Sequence, residues 1–220
     1  MNFSLYLLYL AAAAATVASP GPGVLMTLMR SMQWGYRWSI WTVTGIATGV
    51  IVMAGISATG LSFLLAQSPL VYDWMRIIGA CYMVWLGIKN WRVKTVSLGA
   101  ALRQHSTVTA KKEKEEPAHP SPRGLWLESV GLQMTNPMLI MFFISLFPQF
   151  IDPAYDYTLQ FVVLTLTFAA LVMVIHSGYA IAVTYFRGFL NNPSISRLIY
   201  RAGGTIFILL ALKVFSQVFF

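Results

Sequence analysis

The run Ser19-Pro20-Gly21-Pro22-Gly23 interrupts an apolar stretch that extends from Phe3 to Met29. A second interruption, Thr135-Asn136-Pro137 with Gln133 just before it, lies within the apolar stretch from Leu125 to Phe150. Each proline removes a backbone donor and clashes with the carbonyl one turn earlier, and the adjoining glycines reach angles that other residues avoid. The expected result in the first stretch is two half-helices, 3–18 and 24–30, joined by an unwound segment. The second half-helix then presents free N–H groups and the positive end of its dipole, which suit a carboxylate. The carbonyls that end the first half-helix are left to receive an ammonium group or a cation. A zwitterion matches both ends. The half-helix from Met138 onward starts with free N–H groups of its own, and Gln133, Thr135 and Asn136 add side-chain polarity. The candidate binding set is Ser19, Pro20, Gly21, Pro22, Gly23, Gln133, Thr135, Asn136 and Pro137. The plainer alternative is that each proline merely kinks a helix, since prolines are frequent in membrane spans.

Proton chemistry has a narrow choice of carriers. His176 lies well inside an apolar span, beside Ser177 and Gly178. Ionisable groups at such depth face the bundle interior and mark pathways or relays; a neutral, hydrogen-bonded packing histidine is the alternative. Glu128 stands about one turn from a span end and reads as a solvated gate residue or as a partner for Arg123. Metal ligands at usable spacing are absent, because two of the three histidines, His105 and His119, sit in a polar connection. No cofactor is implied. The single Cys81 lies within a span and reads as a small packing residue.

These groups need elements that place them at depth. The 220 residues are 57% hydrophobic and only 10% charged, against about 25% charged in a soluble domain. Mean hydropathy is +0.67. Several runs reach the roughly 20 residues that cross about 30 Å of hydrocarbon as helix. Six spans are expected, at 3–29, 39–65, 70–89, 125–150, 158–186 and 198–219. The net charge of +8 does not point to nucleic acid, because the basic residues flank the spans. Connections one, three and five hold nearly all of them, from Arg30 and Arg37 to Arg197 and Arg201, whereas the opposite side holds Arg76 and Lys213. Positive-inside bias puts those connections in the cytoplasm and both termini on the outer side. A signal peptide at residues 1–19 is disfavoured by the lack of a basic leader and by apolar sequence continuing to Met29.

The stretch from Val93 to Arg123 carries Lys111-Lys112-Glu113-Lys114-Glu115-Glu116 and then Pro117, Pro120 and Pro122. With few apolar groups to offset chain entropy, it reads as a flexible cytoplasmic linker, with a lipid-surface or regulatory role as the alternative. It divides the chain into a first three-helix repeat (1–92), the linker (93–123) and a second repeat (124–220). Three spans per half is odd, so the halves enter the membrane from opposite sides. The fold class is therefore an all-α integral membrane protein, with six transmembrane helices as two inverted three-helix repeats and with helices one and four broken. Span three, Gly79-Ala80-Cys81-Tyr82-Met83-Val84-Trp85-Leu86-Gly87-Ile88-Lys89, and span six, Gly203-Gly204-Thr205-Ile206-Phe207-Ile208-Leu209-Leu210-Ala211-Leu212-Lys213, echo each other in register. In span two, Gly45, Gly49, Gly55 and Gly60 read as a close-packing seam. Such seams are compatible with a homodimer.

The Pro-Gly-Pro near residue 20, followed by small-residue spans, together with Asn136-Pro137, Phe142-Phe143 and Pro148-Gln149-Phe150, resembles the LysE/RhtB family of amino-acid exporters over nearly the whole chain. The resemblance implies ion-coupled export of amino acids or related small metabolites from the bacterial cytoplasm across the inner membrane, with H+ or Na+ as the coupling ion. Members commonly carry Lys after Asn-Pro, where this chain has Met138. Two other classes set the contrast. An intramembrane enzyme needs a nucleophile with a base, and adjacent His176 and Ser177 point in different directions on a helix. A channel needs a ring of charge or a carbonyl filter, and neither pattern is present.

Overall fold

The computed structural model describes residues 2–19, 21–67, 69–92, 121–185 and 193–219. The linker expected at 93–123 lies outside the described residues up to residue 120. Among the described residues every regular element is helical: α1 (Phe3–Ala18), α2 (Pro22–Trp34), α3 (Tyr36–Gln67), α4 (Pro69–Arg92), α5 (Pro122–Met134), α6 (Pro137–Met141), α7 (Tyr157–Tyr185) and α8 (Pro193–Phe219). A π-helical segment (Phe142–Leu146) and a 3₁₀ turn (Phe147–Phe150) follow α6.

Local chemistry sets several of these boundaries. The Asn2 side chain accepts from the amides of Ser4 and Leu5 to start α1. Ser121 caps α5 through Gly124 N–H, with Pro122 in the first turn, where its missing donor costs nothing. The same rule moves the second half-helix of the first break to Pro22, earlier than the sequence suggests, and it runs on to Trp34. Gly35, at φ 77°, separates α2 from α3; this left-handed backbone favours glycine.

Among the described residues, two helices are long and apolar enough to cross a membrane, in the segments Tyr36–Ser57 and Tyr157–Tyr185. A third crossing results if α1 and α2, bent by 52° at their break, make one span. At 29 residues and about 1.5 Å per residue, α7 exceeds the roughly 30 Å core, so it must tilt or project. Large apolar side chains face outward, among them Val174 at 70% exposure and Leu209 at 61%. Such faces suit lipid and would be a liability in water.

The interior is held by two close seams and one aromatic cluster. In the α3–α5 seam, a Cβ on Gly45 would lie 2.5 Å from the Trp126 carbonyl oxygen, and one on Gly49 would lie 2.7 Å from Gln133 Cβ. In the α4–α8 seam, a Cβ on Gly87 would lie 2.9 Å from the Gly204 carbonyl oxygen, and the reverse distance is 2.8 Å. Gly45 and Gly49 of span two thus pack closely as expected, Gly55 has open space around it, and the surroundings of Gly60 lie outside the described residues. Buried Tyr9 sits against Phe142, Phe147 and Phe150 and donates its hydroxyl to the Leu164 carbonyl at 2.7 Å. Cys81 is exposed on α4, which corrects the expectation of a packing residue; α4 turns its neighbours Ala80 and Met83 inward instead.

Candidate functional site

The two proline breaks meet. A small cavity between them is lined by Ser19, Gly21 and Gly23 from the first and by Gln133 and Asn136 from the second. A Cβ on Gly23 would lie 3.4 Å from His176 Cε1 and 3.6 Å from Gln133 Oε1, and one on Gly21 would lie 3.5 Å from Met138 Sδ. These are ordinary contact distances, so the first break lies directly against groups from α5, α6 and α7. The cavity measures about 40 Å³. A water needs roughly 10–15 Å³ of such space, so it has room for a few waters.

Not every expected residue reaches this cavity. Pro22 opens α2 and is exposed. Thr135 is exposed, with its hydroxyl turned back to the carbonyls of Gly131 and Leu132 on its own helix. Pro137 begins α6, but its side chain lies outside the described residues, as does the whole of Pro20. The expected carbonyl seat at the end of α1 is also altered. The Ala18 carbonyl already accepts from the Tyr179 hydroxyl at 2.8 Å, because α7 passes beside the break.

The second break is held by its own side chains. Asn136 Nδ2 donates to Gln133 Oε1 at 2.7 Å, and Asn136 Oδ1 caps α6 through Met138 N–H at 3.1 Å. Both amides are buried, so each bond avoids the cost of an unpaired buried polar group. At the first break, Asn90 on α4 donates to Ser19 Oγ at 3.2 Å. Asn90 was not a sequence candidate; a lone polar residue near a span end gives no signal of which neighbour it meets.

His176 is 3% exposed and turned inward. Its Nδ1 lies 2.9 Å from Thr27 Oγ1, which in turn lies 3.0 Å from the Gly23 carbonyl. A threonine hydroxyl has one proton. If it donates to Gly23, the bond to His176 exists only when Nδ1 carries the proton. Thr27 was also missed by sequence, although it sits one turn beyond Gly23 on the half-helix.

The remaining wall is mixed. Thr16 adds a hydroxyl, and Val24, Leu139, Phe168 and Val172 form an apolar side. No Asp, Glu, Lys or Arg lines the cavity among the described residues. Away from it, α2 and α5 run on side by side. Ser129 Oγ contacts Met26 Sδ at 3.7 Å. One turn beyond Met26, Arg30 donates to both carboxylate oxygens of Glu128, the residue next to Ser129, at 2.8 and 2.7 Å. Glu128 therefore pairs with Arg30 and not with Arg123, because the tertiary fold brings α2 alongside α5.

Comparison with known proteins follows the same outline. A family model for LysE type translocators matches residues 14–217. An uncharacterized membrane protein of Vibrio cholerae is 31% identical over 210 residues, covering 94% of each chain. A homoserine/homoserine lactone efflux protein of Salmonella typhimurium is 29% identical over 210 residues, covering 95% of each. A leucine efflux protein of Klebsiella pneumoniae is 30% identical over 148 residues, covering 67% of this chain and 63% of the relative. No solved structure matches the chain significantly.

Proposed function

The chain belongs to the LysE type translocator family, and on that premise we propose that it is a secondary active exporter of amino acids with uncharged side chains. The observation that carries this reading is the convergence of two interrupted helices on one partly polar cavity. Irregular backbone at membrane depth is tolerated where it lines such a space, and paired broken helices are where transporters bind substrate and ion. The substrate would sit against Ser19, Gly21, Gly23, Gln133 and Asn136, with its carboxylate at the start of α2. Among the described residues the wall has no Asp, Glu, Lys or Arg, and His176 is its one titratable side chain, which favours a zwitterion that brings no further charge. The relatives named for homoserine and leucine efflux fit that class.

The proposed architecture is six spans in two inverted halves, 1–92 and 124–220, joined by the 93–123 linker. The helix contacts support it at the level of whole spans. Exchange of the halves turns the α3–α5 contact into the contact of α7 with α1 and α2. It likewise turns the α1–α8 contact into that of the π segment with α4, and it leaves α4–α8 and α3–α7 in place. Positive-inside bias then favours an inner-membrane protein with the Arg30–Arg37 connection and the linker in the cytoplasm and both termini periplasmic. A homodimer would need a surface other than the glycine seams, since Gly45, Gly49, Gly87 and Gly204 are all packed within the chain.

A cavity that holds a few waters must enlarge to admit an amino acid, so alternating access requires the halves to move around it. His176, buried and joined to the first break through Thr27, is the favoured proton carrier; Glu128 is the other candidate, and Na+ the other ion. The test is export of labelled amino acid by purified protein in liposomes under an imposed pH gradient. Gradient-driven export of a neutral amino acid is expected. Failure to move any amino acid under either a proton or a sodium gradient would overturn the reading.

A further inference from the structure

We propose that the facing surfaces of α2 and α5 form the cytoplasmic gate of the transport path, closed in this structure, with Arg30 and Glu128 as its outermost closure. This rests on the exporter reading above and names the part that moves.

The contact has layers. Gly23 and Gln133 line the cavity. Next come Met26 and Ser129, both buried and in contact. Arg30 and Glu128 close the row. Gly23, Met26 and Arg30 are spaced three and then four apart, which keeps them on one helix face. Gln133 and Ser129 are four apart on the facing helix. The row therefore runs from the cavity to the side that the basic connections assign to the cytoplasm.

The outer pair is suited to a gate. A guanidinium that grips both carboxylate oxygens fixes orientation as well as distance. Arg30 is further steadied by the Trp34 ring, 4.7 Å from its Cζ, and by Gln33 Oε1 at 3.3 Å. Yet the pair is partly wet, with side chains 20% and 52% exposed. Ion pairs in such settings contribute little and separate readily, so this one biases an equilibrium without locking it. Its partners also belong to different halves of the chain, on either side of the linker. A movement of one half against the other that parts α2 from α5 would break it.

Access to Ser129 tests the proposal without requiring transport. A Ser129→Cys variant in a Cys81→Ser background is treated with a membrane-impermeant thiol reagent from the linker side. Arg30→Gln or Glu128→Gln should speed labelling by about fivefold, the scale of a partly exposed pair, and the swap Arg30→Glu/Glu128→Arg should return it towards the parent rate. Equal rates in all four proteins would overturn the gate. In a second arm, Met26→Cys/Ser129→Cys in the Cys81→Ser background, joined through two disulfides by a short bifunctional methanethiosulfonate, should stop export, and reductant, by cleaving those disulfides, should restore it; undiminished export after complete cross-linking would also overturn it. A parent protein that exports nothing but shows the labelling pattern would sink the exporter reading and leave the moving contact standing.

Discussion

The Thr27 hydroxyl stands 2.9 Å from His176 Nδ1 and 3.0 Å from the Gly23 carbonyl. One side chain thus ties the buried imidazole of α7 to the first turn of the half-helix after the Pro-Gly break. In the proposed mechanism, a proton gained or lost at the ring would change this bond and so reach the backbone that lines the cavity. This coupling is the physical content of the proposal that His176 carries the proton.

Replacing Thr27 by Val keeps the shape and removes the bond. The buried Nδ1 then loses its partner, a cost of about 1–3 kcal/mol. For a chain of this size that corresponds to a fall in Tm of roughly 2–4 °C per kcal/mol, measured by thermal unfolding in detergent. In the transport assay, His176→Ala should abolish the response of export to the pH gradient. Unchanged pH dependence in both His176→Ala and Glu128→Gln would reject both residues as carriers.

Gly49 sets the reach of Gln133. A methyl group at Gly49 would meet Gln133 Cβ at 2.7 Å and the Val130 carbonyl oxygen at 3.2 Å. Gly49→Ala should destabilise the protein by about 1–3 kcal/mol, the usual cost of overpacking, and should weaken ligand-induced stabilisation by moving Gln133. Gly131→Ala is the control. It has open space on a helix, where alanine is favoured by about 0.8–1 kcal/mol. Equal behaviour of the two variants would argue against the seam.

Asn136→Ala removes the cap on α6 and the partner of Gln133 Oε1 together. Loss of the cap alone costs about 1 kcal/mol, and the orphaned Gln133 oxygen adds to it. Thermal unfolding should show the loss. A neutral amino acid that stabilises the parent protein should lose most of that effect in the variant.

Selectivity should follow charge. In a thermal-shift screen of the common amino acids, those with uncharged side chains should stabilise the protein by mass action, whereas lysine, arginine, aspartate and glutamate should not. Stabilisation by a charged amino acid at the same concentration would contradict an uncharged wall.

The apolar runs and the prolines made the helical architecture and the two breaks legible without coordinates. Backbone that cannot donate, set within apolar sequence, leaves few choices. A family model for LysE type translocators matches residues 14–217, a span that includes both breaks. The sequence also singled out Ser19, Gly21, Gly23, Gln133 and Asn136, because glycine permissiveness and short polar side chains beside a break carry a local signal. Partners across helices had no such signal. That Glu128 meets Arg30, that Thr27 meets His176, that Asn90 meets Ser19 and that Tyr179 takes the Ala18 carbonyl depends on which helices lie side by side. Thr135 and Pro22 turn away because rotation about a helix axis is set by packing, through seams such as Gly49 against Gln133 and Gly87 against Gly204. Local chemistry decided where the chain breaks; long-range packing, through contacts 71 to 161 residues apart, decided what each break faces.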